Sequence, residues 1–151
     1  MLLLKRTTSK DPDFVALVKL LDQELAIRDG DEHAFYDQFN KLDTIKHAVV
    51  AYWDNRAVGC GAIKLFDATS MEIKRMYVRN EFRGKGLATA VLLELEKWTK
   101  ELKFEHCVLE TGIRQPEAIA LYVKNGYKRI SNYGQYQNME NSLCYKKAFQ
   151  N

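Results

Sequence analysis

The passage from Glu72 to Thr111 constrains this chain more than any other stretch. An alternating run, Glu72–Val78, leads through Arg83-Gly84-Lys85-Gly86 into apolar residues at helical spacing, Leu87, Val91, Leu95, Trp98 and Leu102. The strand-like run His106–Thr111 comes next. A helical crossover is long enough to return the chain to the same end of a sheet, so these two strands are expected to lie parallel. The helix between them is expected over residues 85–102.

The rest of the chain supplies antiparallel neighbours. Residues 2–7 read as a first strand. Asp11 is placed as an N-cap with Pro12 at the first helical position, and Phe14, Val15, Val18, Leu21 and Leu25 recur at helical spacing until Gly30. A short second helix is expected over residues 32–40. Ala48–Trp53 and Ala57–Phe66 read as strands joined by a tight turn at Asp54-Asn55. Pro116 opens a short helix through Lys124, closed by Asn125-Gly126. Tyr127–Ile130 and Ser142–Phe149 read as the last strands, separated by a polar loop, Asn132–Asn141, that carries Tyr133, Gly134 and Tyr136. The expected fold is α/β (α+β): a mixed, mostly antiparallel central sheet of about seven strands flanked by about four helices. No repeat, low-complexity tract or linker breaks the pattern, so residues 1–151 read as a single domain.

Composition excludes several classes. Apolar residues make up 46% and charged residues 28%, an ordinary globular balance. No apolar run approaches the roughly 18 residues of a membrane span. Met1-Leu2-Leu3-Leu4 is too short for a secretory leader, and its basic residues come after it. A cytoplasmic protein with no membrane partner is expected. A net charge of +3 does not call for nucleic acid. Lys74, Arg75, Arg79, Arg83 and Lys85 are nonetheless close together, as a solvated face or a local anion site. Cys60, Cys107 and Cys144 lie far apart in apolar stretches and form no zinc spacing with His33, His47 and His106. They read as packing residues in a reducing compartment, and no metal is expected.

The anion site is best placed at the Gly-rich turn. The first turn of a helix has unpaired N–H groups and a dipole that favours negative charge. Gly84 and Gly86 leave room for a bulky anion to approach the backbone, and Arg83 and Lys85 add charge. Together these read as a pyrophosphate cradle, the alternative being a Gly-rich turn with no ligand. No P-loop string is present, and Thr89 occupies the third position of the dinucleotide fingerprint, which also needs a different strand context.

Arg83-Gly84-Lys85-Gly86-Leu87-Ala88 resembles the R/Q-x-x-G-x-G/A signature of the GNAT superfamily of N-acetyltransferases. Downstream, Ala118-Ile119-Ala120-Leu121-Tyr122-Val123-Lys124-Asn125-Gly126-Tyr127 resembles the family's A-x-x-L-Y-x-x-x-G-F/Y element. The two lie in the family's order, over about residues 71–130. The resemblance implies acetyl-CoA as co-substrate, with backbone groups of a splayed strand at Met76, Tyr77 and Val78 holding the acetyl carbonyl and the pantetheine arm. It implies a pyrophosphate on the amides from Arg83 to Ala88. Gln115 stands where many members carry an Asn that helps bind coenzyme A, and it keeps the amide with a different reach.

Acetyl transfer to an amine needs a neutral amine, a stabilised carbonyl oxygen and a proton for the departing thiolate. Direct attack needs no covalent enzyme intermediate, which fits the lack of a Ser/His/Asp or Cys/His signature. By the resemblance Tyr122 is the general acid and Glu72 a candidate general base, with Glu110 or a water chain as alternatives. Strand alternation is expected to put Glu72 on one face with Lys74, Met76 and Val78. The acceptor is expected to be a small-molecule or peptide amine, bound near the first helices and the Tyr133–Tyr136 loop. Asp22, Glu24, Asp29, Asp31 and Glu32 could attract such an amine or simply be solvated. A homodimer is compatible with the resemblance, and an acetyl-CoA sensor without turnover is the alternative function.

Overall fold

The computed structural model describes residues 1–30 and 45–149. Seven strands form one sheet: β1 (Leu2–Thr7), β2 (His47–Trp53), β3 (Arg56–Leu65), β4 (Ser70–Val78), β5 (His106–Gly112), β6 (Lys128–Ile130) and β7 (Ser142–Ala148). Their spatial order is β1-β2-β3-β4-β5-β7-β6. β4 and β5 are the parallel pair, as the crossover requires, and the other neighbours are antiparallel. Three α-helices lie among the described residues: α1 (Pro12–Asp29), α2 (Leu87–Glu101) and α3 (Pro116–Lys124). The expectation of about four is corrected to three there; the helix expected over 32–40 lies outside the described residues.

Local chemistry sets the element ends. Asp11 sits in the β region and its Oδ1 accepts the Asp13 N–H at 2.8 Å, while Pro12 opens α1. Asp54 and Asn55 both take positive φ, 48° and 71°, the conformation of a two-residue hairpin turn. α2 starts at Leu87 rather than at 85, because Gly86 has φ 79° and leaves the helical region. At the end of α3, Gly126 (φ 92°) turns the chain so that the Tyr127 N–H reaches the Tyr122 carbonyl at 3.0 Å.

The middle of β2 and of β3 is buried on both faces and apolar, whereas β4 carries Glu72, Lys74 and Arg75. α1 lays Phe14, Leu17 and Val18 against Ala48, Val50, Cys60 and Ala62. α2 lays Leu87, Val91, Leu92 and Leu95 against Val49, Ala51, Val58 and Ile63. The three cysteines are buried and unbridged. Burial pushes the Cys60 thiol up to about 12 and the Cys107 thiol up to about 11, so both behave as small apolar side chains.

The ladder between β3 and β4 is irregular. Cys60 pairs with Tyr77 but Ala62 with Lys74, so Arg75 and Met76 together oppose Gly61. Arg75 takes φ 62°, a left-handed conformation uncommon for a side chain of its size. This is a β-bulge, which bends its strand and increases its twist. Gly61 is the partner that lets α2 sit this close. A Cβ there would meet Met76 Sδ at 2.5 Å, Leu95 Cδ1 at 2.8 Å and Val91 Cγ1 at 2.9 Å. Gly61→Ala is therefore expected to destabilise the fold by about 1–3 kcal/mol through overpacking. Chemical denaturation measures it, and an unchanged midpoint would contradict this seating of α2.

Candidate active site

The parallel pairing of β4 with β5 covers Ser70–His106, Met71–Cys107 and Glu72–Val108. Beyond it β4 stays paired with β3 as far as Val78, and β5 with β7 as far as Gly112. The two strands thus part on their shared side only, and the split opens into a cavity of about 600 Å³. The Arg79 N–H donates to Val58 of β3 at 2.8 Å, so by strand alternation the N–H and C=O of Val78 face the split.

The start of α2 forms one wall. Gly84 and Gly86 both have φ 79°, and a Cβ built on either meets nothing within 4 Å, so open space lies above this backbone. Gly86 is the N-cap and supplies no side-chain acceptor, which leaves the first-turn amides of Leu87, Ala88 and Thr89 without intrahelical partners. Leu87 itself is buried in the core, so only its backbone is offered; Lys85 is exposed beside it. Arg83 is used differently from the expectation. Its amide donates to the Asn80 carbonyl at 3.2 Å. Its Nε donates to the Val78 carbonyl and its other nitrogen to Glu24 of α1, both at 2.8 Å. Arg83 braces the cradle, and the open amides begin after it.

α3 forms the facing wall. Tyr122 is 5% exposed and lines the cavity; its ring packs edge-on against Tyr127 with centroids 5.7 Å apart. Burial, and then the negative charge of Glu110, push its phenol above the usual tyrosine range, so it stays protonated at neutral pH. Gln115, at the N-cap of α3, also lines the cavity and makes no capping bond with its side chain.

The bulge corrects the expected face of Glu72. With one residue inserted at Arg75, Met71 and Ile73 share the α2 face with Met76 and Val78. Glu72 and Lys74 fall on the opposite face, with Tyr77, which packs into the α1 cluster. Because the cavity runs through the split, its lining still includes Glu72, Lys74, Met76, Tyr77, Val78 and Tyr122. Glu72 is not a solvated charge: its carboxylate accepts the Tyr133 hydroxyl at 2.7 Å, and Lys74 Nζ lies 4.0 Å away. The polar loop of the sequence is thereby docked on the sheet, with Tyr136 buried beside Tyr133 and lining the cavity. Glu110 lines it too.

The acidic residues of α1 serve as ties. Glu24 holds Arg83, and Asp22 lies 3.4 Å from the buried Arg75. The side chain of Asp29, and Asp31 and Glu32, lie outside what is described. A contact with no local sequence signal spans the cavity: Arg28 of α1 grips both oxygens of Glu117 on α3, at 3.1 and 2.8 Å. The Arg28 guanidinium holds the Glu117 carboxyl down to about 2. The Arg28–Glu117 pair was missed in the sequence, whereas Lys74 belongs to the basic cluster and Tyr136 to the loop expected near the acceptor; both line the cavity.

The family model described as the acetyltransferase (GNAT) family matches residues 14–127. An uncharacterised N-acetyltransferase of Escherichia coli is 36% identical over 87 residues, which cover 53% of this chain and 52% of the relative. The chain spans about half the length, or less, of the curated relatives it matches. A Klebsiella pneumoniae structure, provisionally named an acyl-CoA N-acyltransferase, is 32% identical, with a TM-score of 0.80 over 98% of this chain and 97% of its own. An N-acetyltransferase of Thermoplasma acidophilum in complex with coenzyme A has the same fold, with a TM-score of 0.73 at 17% identity over 99% of each chain.

The Tyr133–Glu72 bond ties the loop to β4, beside the Ile113 N–H to Asn141 carbonyl bond and the packing of Tyr133 on Phe66. Tyr133→Phe removes the hydroxyl donor from a carboxylate whose side chain is only 12% exposed. A loss of about 1–3 kcal/mol is expected in chemical denaturation, the usual cost of an unsatisfied buried acceptor. No loss would mean that the loop is not anchored by this bond.

Proposed function

The chain belongs to the acetyltransferase (GNAT) family, and from that premise we propose that it is a single-domain N-acetyltransferase moving an acetyl group from acetyl-CoA to a primary amine. The observation that carries this reading is the split sheet, with an uncapped helix start on one side and a buried, protonated phenol on the other. Acetyl-CoA would supply the activated acetyl thioester. The residues present fit such a group: open space lies above Gly84 and Gly86, and the first amides of α2 point into it, as an anion needs.

Each residue then has a definable task. The amides from Gly84 to Ala88 hold the pyrophosphate, with Lys85 beside them. The exposed edge at Met76 and Val78 takes the pantetheine arm, through the Val78 N–H above all, while Tyr77, paired with Cys60 of β3, lines the cavity beside it. Gln115 offers its side-chain amide to the same arm. Tyr122 holds a proton at its hydroxyl for the departing sulfur. Glu72 and Glu110 lie on the α1 face, where they attract the ammonium form of an acceptor and accept its proton directly or through water. Catalysis on this reading is mostly approximation of two reactants plus one general acid.

Release of free thiol from acetyl-CoA, measured with a panel of amines, tests the activity; no turnover with any amine, despite tight coenzyme A binding, would leave a sensor instead. Gly86→Val is expected to raise the Kd for coenzyme A at least about tenfold, because the branched Cβ stands in the anion's space. The positive φ adds a folding cost of roughly 1–2 kcal/mol, so binding is compared by calorimetry on folded protein. An unchanged Kd would place the cradle elsewhere.

Tyr122→Phe keeps the ring and removes the hydroxyl. The kcat is expected to fall by about 10²–10⁴ if the phenol is the general acid. The KM for acetyl-CoA should hold, since the loss falls in the transition state. Since burial raises this phenol, wild-type activity limited by its ionisation should be lost only above the ordinary tyrosine value of about 10. That limb should vanish in the variant. A fall of only about twofold would mean that water supplies the proton.

A further inference from the structure

Glu96 is the acidic residue on the buried face of α2, among Leu87, Val91, Leu92, Leu95 and Thr99. It is 4% exposed, and both of its oxygens are engaged. Oε1 accepts Lys147 Nζ of β7 at 2.8 Å, and Oε2 accepts the Tyr127 hydroxyl at 2.9 Å. The Lys147 ammonium also lies 5.7 Å from the centre of the Tyr127 ring. None of the three lines the cavity. Tyr127 contacts the cavity-lining Tyr122 twice. The rings meet edge-on at 5.7 Å and an interplanar angle of 66°. The Tyr127 N–H also donates to the Tyr122 carbonyl at 3.0 Å.

An ion pair with one carboxylate buried and its lysine partly exposed is a poor source of stability, because desolvating the carboxylate cancels most of the attraction. What it does supply is direction. A phenylalanine at 127 could slide or tilt in its pocket; a tyrosine whose hydroxyl is tied to a carboxylate cannot. Glu96 is itself held from the other side by Lys147, so the ring is fixed between α2 and β7. We propose that Glu96 and Tyr127 are positioning residues for Tyr122. They fix the wall on which its ring rests, so that its hydroxyl stays aimed at the reacting sulfur, and Lys147 neutralises the charge this arrangement buries. The inference rests on Tyr122 being the proton donor.

The test is a cycle of wild type, Tyr122→Phe, Tyr127→Phe and the double variant, with kcat counted per coenzyme A site by calorimetry so that misfolded protein drops out. Tyr127→Phe is expected to lower kcat about tenfold, with KM for acetyl-CoA changed less than about twofold, the pattern of a misplaced catalytic group. In the Tyr122→Phe background the same change should cost nothing more. With carbon-13-labelled tyrosine, the resonance missing from Tyr122→Phe identifies Tyr122, and it should shift or broaden in Tyr127→Phe. Glu96→Gln, which keeps the side chain's shape, should move that resonance too and serves if Tyr127→Phe does not fold. An unaltered Tyr122 resonance together with an unaltered kcat overturns the inference. So does an equal loss from Tyr127→Phe in both backgrounds, and this outcome leaves the proton-donor assignment standing. Full activity in Tyr122→Phe overturns that assignment and the inference together.

Discussion

After Glu72 and Val108, β4 and β5 stop sharing hydrogen bonds. A buried backbone N–H or C=O left without a partner is costly, so a sheet can open this way only where something else meets those groups. Here Arg83 takes the Val78 carbonyl, and the remaining edge faces a cavity. The bulge at Arg75 lies just past the last parallel pair and bends β4 there. The split also places the helices. α2 begins shortly after the end of β4 and α3 shortly after the end of β5, so the starts of both helices border the same opening.

Three ion pairs join α1 to this opening: Asp22–Arg75, Glu24–Arg83 and Arg28–Glu117. Each has at least one partner partly exposed to solvent, and solvent-screened pairs contribute little stability, typically about 0–1 kcal/mol. Their larger effect is on charge and shape. Arg75 and Arg83, two of the five clustered cations of the sequence, are matched by carboxylates from α1. On the proposed reading, anion binding at the turn would then rest on oriented amides with Lys85, a source that depends on the positive φ of Gly84 and Gly86.

The fold was largely legible because its signals are local. Asp11-Pro12, Asp54-Asn55 and Asn125-Gly126 mark element ends by backbone preferences that tertiary contacts did not override. The helical spacing from Leu87 to Leu102 fixed the crossover and hence the parallel pair. The conformation of the Gly-rich turn was legible for the same reason, with Gly84 and Gly86 both at positive φ. Arg75 was not: nothing in Glu72–Val78 announces an inserted residue, so simple alternation put Glu72 on the wrong face. Contacts between distant segments, such as Arg28–Glu117 and Tyr133–Glu72, leave no local trace, because neither partner's neighbours change their pattern to accommodate them. Glu96 was not singled out in the sequence, because its partners Lys147 and Tyr127 are brought to it only by the folded chain.

The proposed chemistry raises one physical difficulty. A phenol pushed above its usual range is a weak acid, whereas a free thiol titrates near ~8.5, so proton transfer from Tyr122 to a departing thiolate looks uphill. The comparison changes inside the cavity. Burial disfavours any anion, and a nearby carboxylate such as Glu110 disfavours it further. Both effects act on a thiolate next to Tyr122 as they act on the phenolate. The wall that weakens the acid therefore strengthens the base it must protonate, and the two remain closer in proton affinity than their values in water suggest. For such a pair, transfer depends on the distance and aim of the O–H more than on its intrinsic acidity. That is why a rigid support behind Tyr122 matters more than a group that would lower its pKa.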